Sequence, residues 1–175
     1  MNSPLNLRQL SYLILAGVLC GGLLCGGCAQ RREMMPYFGK WDGGFYIDEK
    51  GSKAPLRPLK RYVLEGYLML YATREGFKMH LEGEQVVLDI DGTWSVTKNA
   101  RGESRVQLNP KNVKIDDMGG AEFRNPNRAY IPSDAIRETY AKDLIFRPLA
   151  NDQSLEGLEV SMGDLVGTHR WKRVQ

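Results

Sequence analysis

The chain has 175 residues, of which 42% are hydrophobic and 26% charged, and carries a formal net charge of +3. Its length suits one folded domain after a leader, and the near balance of charge lacks the basic footprint of a nucleic-acid binder. No cysteine follows Cys28, so whatever folds beyond it does so by core burial without a disulfide, which a domain of this size can do.

Met1 to Gln9 is polar with one charge, Arg8, and Leu10 to Leu24 is almost wholly apolar or Gly; Gly26, Gly27, Cys28 and Ala29 follow. A basic start, an apolar run and a small-residue exit describe an export signal. Within it "CGGC" (Cys25 to Cys28) has the C-x-x-C spacing of a redox or zinc motif. A redox pair needs a folded βαβ setting that lowers a thiol pKa, and zinc needs two further ligands. The later histidines, His80 and His169, do not supply a matching spacing.

The stretch "LLCGGC" resembles the lipobox of bacterial lipoproteins, with Cys25 standing where a Leu is usual. The resemblance implies that Cys28 is lipid-modified, with palmitate among the acyl chains expected there. It divides the chain into a signal peptide (1–27), a tether (28–36) and a folded domain (37–175). It also implies a bacterial cell envelope location, held by a lipid anchor, in the outer membrane if the organism has one. Two alternatives stay open: cleavage before Gln30, giving a secreted or periplasmic protein, and an uncleaved Leu10–Ala29 membrane anchor. Arg31 and Arg32, just past the cysteine, suit either anionic head groups, at about 1 kcal/mol each, or a solvated tether.

Beyond Pro36 the apolar residues alternate with polar ones, the period of a strand with one buried face. "FGKWDGGFYI" reads as a first strand whose glycines mark a bend or bulge. Residues 62–115 follow as a meander of about six strands. Short turns separate them: Arg74–Gly76, Gly83-Glu84, Asp91-Gly92 and Asn99–Glu103. Loops this short join only antiparallel neighbours. "KDLIFRPL", "LEGLEVSM" and "GTHRWKRV" are three more strands, and Ser133 is the N-cap of one short late helix, Asp134–Ala141. The expectation is an all-β, antiparallel up-and-down meander barrel of about 8–10 strands, because closure removes the exposed edges of a long meander.

Gly39-Lys40-Trp41 on the first strand has the G-x-W form of lipocalins, and "DGTWSVTKN" followed by "RVQLNP" is similar to small lipocalin-like envelope lipoproteins of bacteria. The resemblance implies a barrel closed at one end by Gly39 and Trp41 under an arginine of the last strand, Arg170 or Arg173. It also implies a binding role for a small apolar molecule. On the strand "RYVLEGYLMLYAT", Tyr67, Met69 and Tyr71 share one face and Leu64, Leu68, Leu70 and Ala72 the other. Both faces being apolar, this strand either borders a ligand cavity or lies under the helix. Trp41, Tyr67, Met69, Tyr71 and Trp94 are the expected ligand-binding residues.

His80 and His169 read as solvated strand histidines, and Asp89-x-Asp91-Gly92 as a hairpin turn rather than a calcium loop. After Cys28 there is no G-x-S-x-G, H-E-x-x-H or phosphate-cradling G-x-x-x-x-G-K, so the expectation is a protein without catalytic residues, metal or cofactor. Residues 117–142 interrupt the meander, and long excursions are often functional. They supply the alternative: a structural or assembly lipoprotein that recruits another envelope protein through 117–142.

Overall fold

A computed structural model describes residues 30–47, 63–73, 76–83, 86–117, 133–149, 152–162 and 165–175. The chain divides into two units, Met1–Met35 and Pro36–Gln175, and the second is a barrel. Its elements are β1 (Gly39–Ile47), β2 (Val63–Leu70), β3 (Gly76–Glu82), β4 (Val86–Lys98), β5 (Ser104–Asp117), α1 (Ser133–Tyr140), β6 (Leu144–Leu149), β7 (Ser154–Met162) and β8 (Leu165–Arg173). Each strand is antiparallel to its sequence neighbour. β8 pairs with β1 from Trp41↔Arg173 to Ile47↔Gly167, so the eight-stranded sheet closes on itself.

The alternation seen in the sequence sets which residues fill the barrel. Trp41, Phe45, Leu64, Leu68, Leu70, Phe77, Met79, Leu81, Leu88, Ile90, Trp94, Val106, Leu108, Phe146, Leu155 and Trp171 are all buried. The intervening Asp42, Glu65, Lys78, Asp89, Asp91, Arg147, Arg170 and Lys172 are exposed. Apolar inside and polar outside is the reverse of a barrel whose wall faces lipid. Eight strands give an interior just wide enough for side chains to fill or for one small ligand. Here Trp41, Phe45, Leu68, Leu81, Leu88, Val106, Leu108 and Phe146 are all 0% exposed, so none of them touches space that a water molecule could enter.

The barrel coils tightly at β1. A Cβ on Gly44 would run into the carbonyl oxygen of Leu64, so only glycine lets β2 come this near. Gly39 has φ +122, a conformation that side chains avoid, which accounts for a glycine two places before Trp41.

Residues 62–115 hold four strands, not six. Asp91-Gly92 is not a hairpin: β4 runs through it without a break. Across from it Gly92 pairs with Pro110 and Asp91 with Asn112, leaving Lys111 as the extra residue of a β-bulge. A bulge is one of the few places a strand accepts proline. The dipeptide and the proline look like turn residues because bulges and turns use the same chemistry.

β6 is the short member. It pairs with β5 only from Val106↔Phe146 to Leu108↔Leu144 and with β7 only from Phe146↔Gly157 to Leu149↔Ser154. Among the described residues no strand lies between the far halves of β5 and β7, and α1 lies against both. It buries Ile136, Thr139 and Tyr140, and the Thr139 hydroxyl donates to the Ser161 carbonyl at 3.2 Å. The helix thus stands in the wall where a strand would be, and a side chain satisfies a backbone acceptor there.

Thr139→Val keeps the shape and removes the hydroxyl. It should lower unfolding free energy by about 1 kcal/mol in urea denaturation, with faster amide exchange confined to α1 and the second half of β7.

Candidate functional site

The end of the barrel at which β1 begins is closed by Pro36, Tyr37 and Phe38. The Trp41 indole N–H donates to the Tyr37 carbonyl at 3.0 Å, and Phe38 stands edge-on to Trp94, with ring centroids 5.7 Å apart. Trp94 in turn donates to the Tyr71 carbonyl at 3.2 Å. Arg173 fastens this cover from β8. Its guanidinium lies 5.7 Å from the centre of the Trp41 ring and donates to the carbonyls of Pro36 at 2.7 Å and Phe38 at 3.1 Å. Tyr37 donates to the Asp152 carboxylate at 3.1 Å; burial, then the Asp152 charge, raises its pKa. Of the two arginines considered for closure, Arg173 caps Trp41. Arg170 points outward, because β8 alternates His169, Trp171 and Arg173 on one side with Arg170 and Lys172 on the other.

The five residues expected to line a ligand cavity separate in the structure. Trp41 and Trp94 are inside and fully buried. Tyr67 and Met69 are half-buried on the outer face of β2, and Tyr71 is exposed just past its end. What keeps Tyr67 outside is a cross-strand row. It pairs with His80 and stacks on that ring at 5.4 Å, while the Lys40 ammonium lies over the Tyr67 ring, 5.5 Å from its centre. His80 bonds Asp89 at 2.8 Å, and such outer pairs contribute at most about 1 kcal/mol. Nor does α1 cover this strand; it rests on β5 and β7. Both faces of β2 are apolar for separate reasons, one for the core and one for this row.

His169 is not solvated: it is 1% exposed. It shares a 2.8 Å hydrogen bond with the Tyr140 hydroxyl of α1, among Phe45, Phe146 and Trp171. Burial lowers its pKa to about 3 and raises that of Tyr140. Both groups are neutral at pH 7 and shifted away from it, the opposite of a poised proton-transfer pair. The hydrogen bond instead locks α1 to the interior. The signal was present in "GTHRWKRV", since alternation puts His169 on the face of Trp171. The Trp171 indole N–H has no hydrogen-bond partner among the described residues.

Outside, β1, β7 and β8 frame a groove of about 300 Å³. Asp42, Gly43, Tyr46, Ser154, Glu156, Arg170 and Lys172 line it, with Leu149 at its β6 side. Nothing in the linear pattern joins these residues; the cross-strand register does. Cys28 and residues 118–132 lie outside the described residues. Among the described residues, no helix is long and apolar enough to cross a membrane, and no three metal-ligating side chains converge.

No protein-family model matches the chain, and no curated protein matches it significantly.

His169 couples stability to pH. The unfolded chain takes up a proton as pH falls through about 6.5, while folded His169 stays neutral down to about 3. Stability should therefore fall below pH 6.5, by up to ~1.4 kcal/mol per pH unit from this group, and be insensitive to it above pH 7. His169→Gln removes that slope: urea midpoints of wild type and variant should converge between pH 7.5 and pH 4.5. Arg173→Ala, which strips two charge-assisted bonds from the cover, should cost roughly 1.5–3 kcal/mol and dequench or shift the emission of Trp41.

Proposed function

We propose that this chain is a lipid-anchored protein of a bacterial cell envelope whose lipocalin-like barrel acts by binding, without covalent chemistry. The lipobox-like Cys28, the short tether and the barrel that begins at Gly39 support the anchor. A β1 start only eleven residues past Cys28 keeps the barrel within about 40 Å of the bilayer surface.

Two occupants compete for such a module. A small apolar ligand would sit inside, where Trp41 and Trp94 form part of the wall, as in the lipocalin resemblance. A protein partner would be recruited from outside, through the 117–142 excursion. The zero exposure of so many inward side chains supports the second reading over the first. An apolar guest needs walls that border open space, and those side chains border none. The partner-recruiting reading needs no open interior and is the one we favour. α1 contributes Asp134, Arg137 and Glu138 to the surface, a polar face suited to a reversible contact.

Three measurements test this. Cys28→Ser should abolish both membrane fractionation and labelling by a palmitate analogue, while Cys25→Ser leaves both intact; equal retention of the Cys28 variant would point to an uncleaved helix. A fluorescent fatty acid should show no saturable binding to the folded protein. Saturable binding that Trp41→Ala weakens would restore the carrier reading.

A further inference from the structure

The groove between β1, β8 and β7 has a charge pattern that the barrel does not need for its own stability. Five polar side chains of three strands meet there: Lys172 stands across from Asp42 on β1 and Ser154 on β7, and Arg170 stands across from Gly44 on β1 and Glu156 on β7. Simple pairing would join Lys172 to Asp42 and Arg170 to Glu156. It does not occur. Asp42 turns to Lys40 at 3.1 Å, and Glu156 turns to Arg147 at 2.6 Å. Each acid is already neutralised by a cation that does not line the groove. Among the described residues no carboxylate lies within ion-pair distance of Arg170 or Lys172, and the Tyr46 and Ser154 hydroxyls carry no hydrogen bond.

The groove therefore presents a guanidinium, an ammonium and two hydroxyls, all able to donate. Arg170 and Lys172 are two apart on one strand face, about 6.5–7 Å. A guanidinium fork matches the paired oxygens of an oxyanion, and the lysine adds a second charge within reach of the same group. Leu149, exposed on β6, supplies an apolar side. A volume of about 300 Å³ lies at the small end of ligand sites and is larger than one inorganic anion needs. Arg170 stands opposite Gly44, so no side chain of β1 faces its guanidinium.

We propose that this groove binds an organic phosphate, with Arg170 and Lys172 holding the phosphoryl oxygens, Tyr46 and Ser154 completing its hydrogen bonds, and Leu149 flanking the carbon portion. The same chemistry has two sources, a free phosphate ester or the head group of an anionic lipid. The proposal rests neither on the anchor nor on a partner of the 117–142 excursion.

The test uses the full-length chain in nonionic detergent, titrated calorimetrically with glycerol 1-phosphate and, in parallel, with glycerol. The expected result is saturable binding of the phosphate only, weakened roughly tenfold by Arg170→Ala or Lys172→Ala. Arg147→Ala should also weaken it, since it frees the Glu156 carboxylate toward Arg170, and Glu156→Gln should tighten it. Lys114→Ala, which alters an exposed cation on β5, should change nothing. A second arm sediments the Cys28→Ser protein with phosphatidylglycerol or phosphatidylcholine vesicles. Retention on phosphatidylglycerol alone, lost in Arg170→Ala, assigns the lipid head group; binding of glycerol 1-phosphate without vesicle retention assigns a free ester. No saturation in either arm, or an equal loss with Lys114→Ala, would overturn the proposal.

Discussion

The seam between β1 and β8 is what the barrel depends on. It joins Trp41 to Arg173 and Ile47 to Gly167, strands that open and close the folded sequence, and without it the sheet would keep two free edges. Most features described above lie at this seam. Arg173 reaches from it to fasten the cover over Trp41, His169 extends inward from it to hold α1, and Arg170 and Lys172 point outward from it into the groove. One strand of nine residues thus serves the end, the core and the surface. Strict alternation makes this possible, because neighbours in sequence face opposite environments.

A second constraint comes from the opposite side of the wall. β6 is too short to accompany β5 and β7 along their whole length, and a helix stands in the remaining space. A helix satisfies its own backbone, so it cannot pair with the strand edges beside it; Thr139 lends a hydroxyl to Ser161 and Tyr140 reaches through to His169. This part of the wall is held by side chains rather than by a hydrogen-bonded ladder. Its opening free energy should therefore lie below that of the continuous sheet.

The fold was largely legible because two-residue periodicity is a local signal and nearly every strand carries it. What misled was also local: Asp91-Gly92 and Pro110 have turn chemistry, and only pairing between β4 and β5 reveals a bulge. The site was much less legible. Tyr67 and Met69 are apolar on an outward face, and hydrophobicity alone cannot tell a cavity wall from a surface row built on His80 and Lys40. His169 could have been placed by parity with Trp171, but its partner Tyr140 comes from an element whose position depends on the length of β6. The groove was invisible in the linear chain, since whether Arg170 meets Glu156, or Glu156 meets Arg147, is settled by rotamers across three strands.

The seam also has a consequence in time. Its partners are separated by 120 to 132 positions along the chain, so most of the loop-closure entropy must be met before they reward each other. β1 emerges from the ribosome early and has no second neighbour until β8 has followed. At typical elongation rates that interval is on the order of 10 s. For that period the nascent polypeptide remains an unsealed ribbon, still able to be threaded through a narrow passage and still exposed to any factor that recognises an unpaired strand.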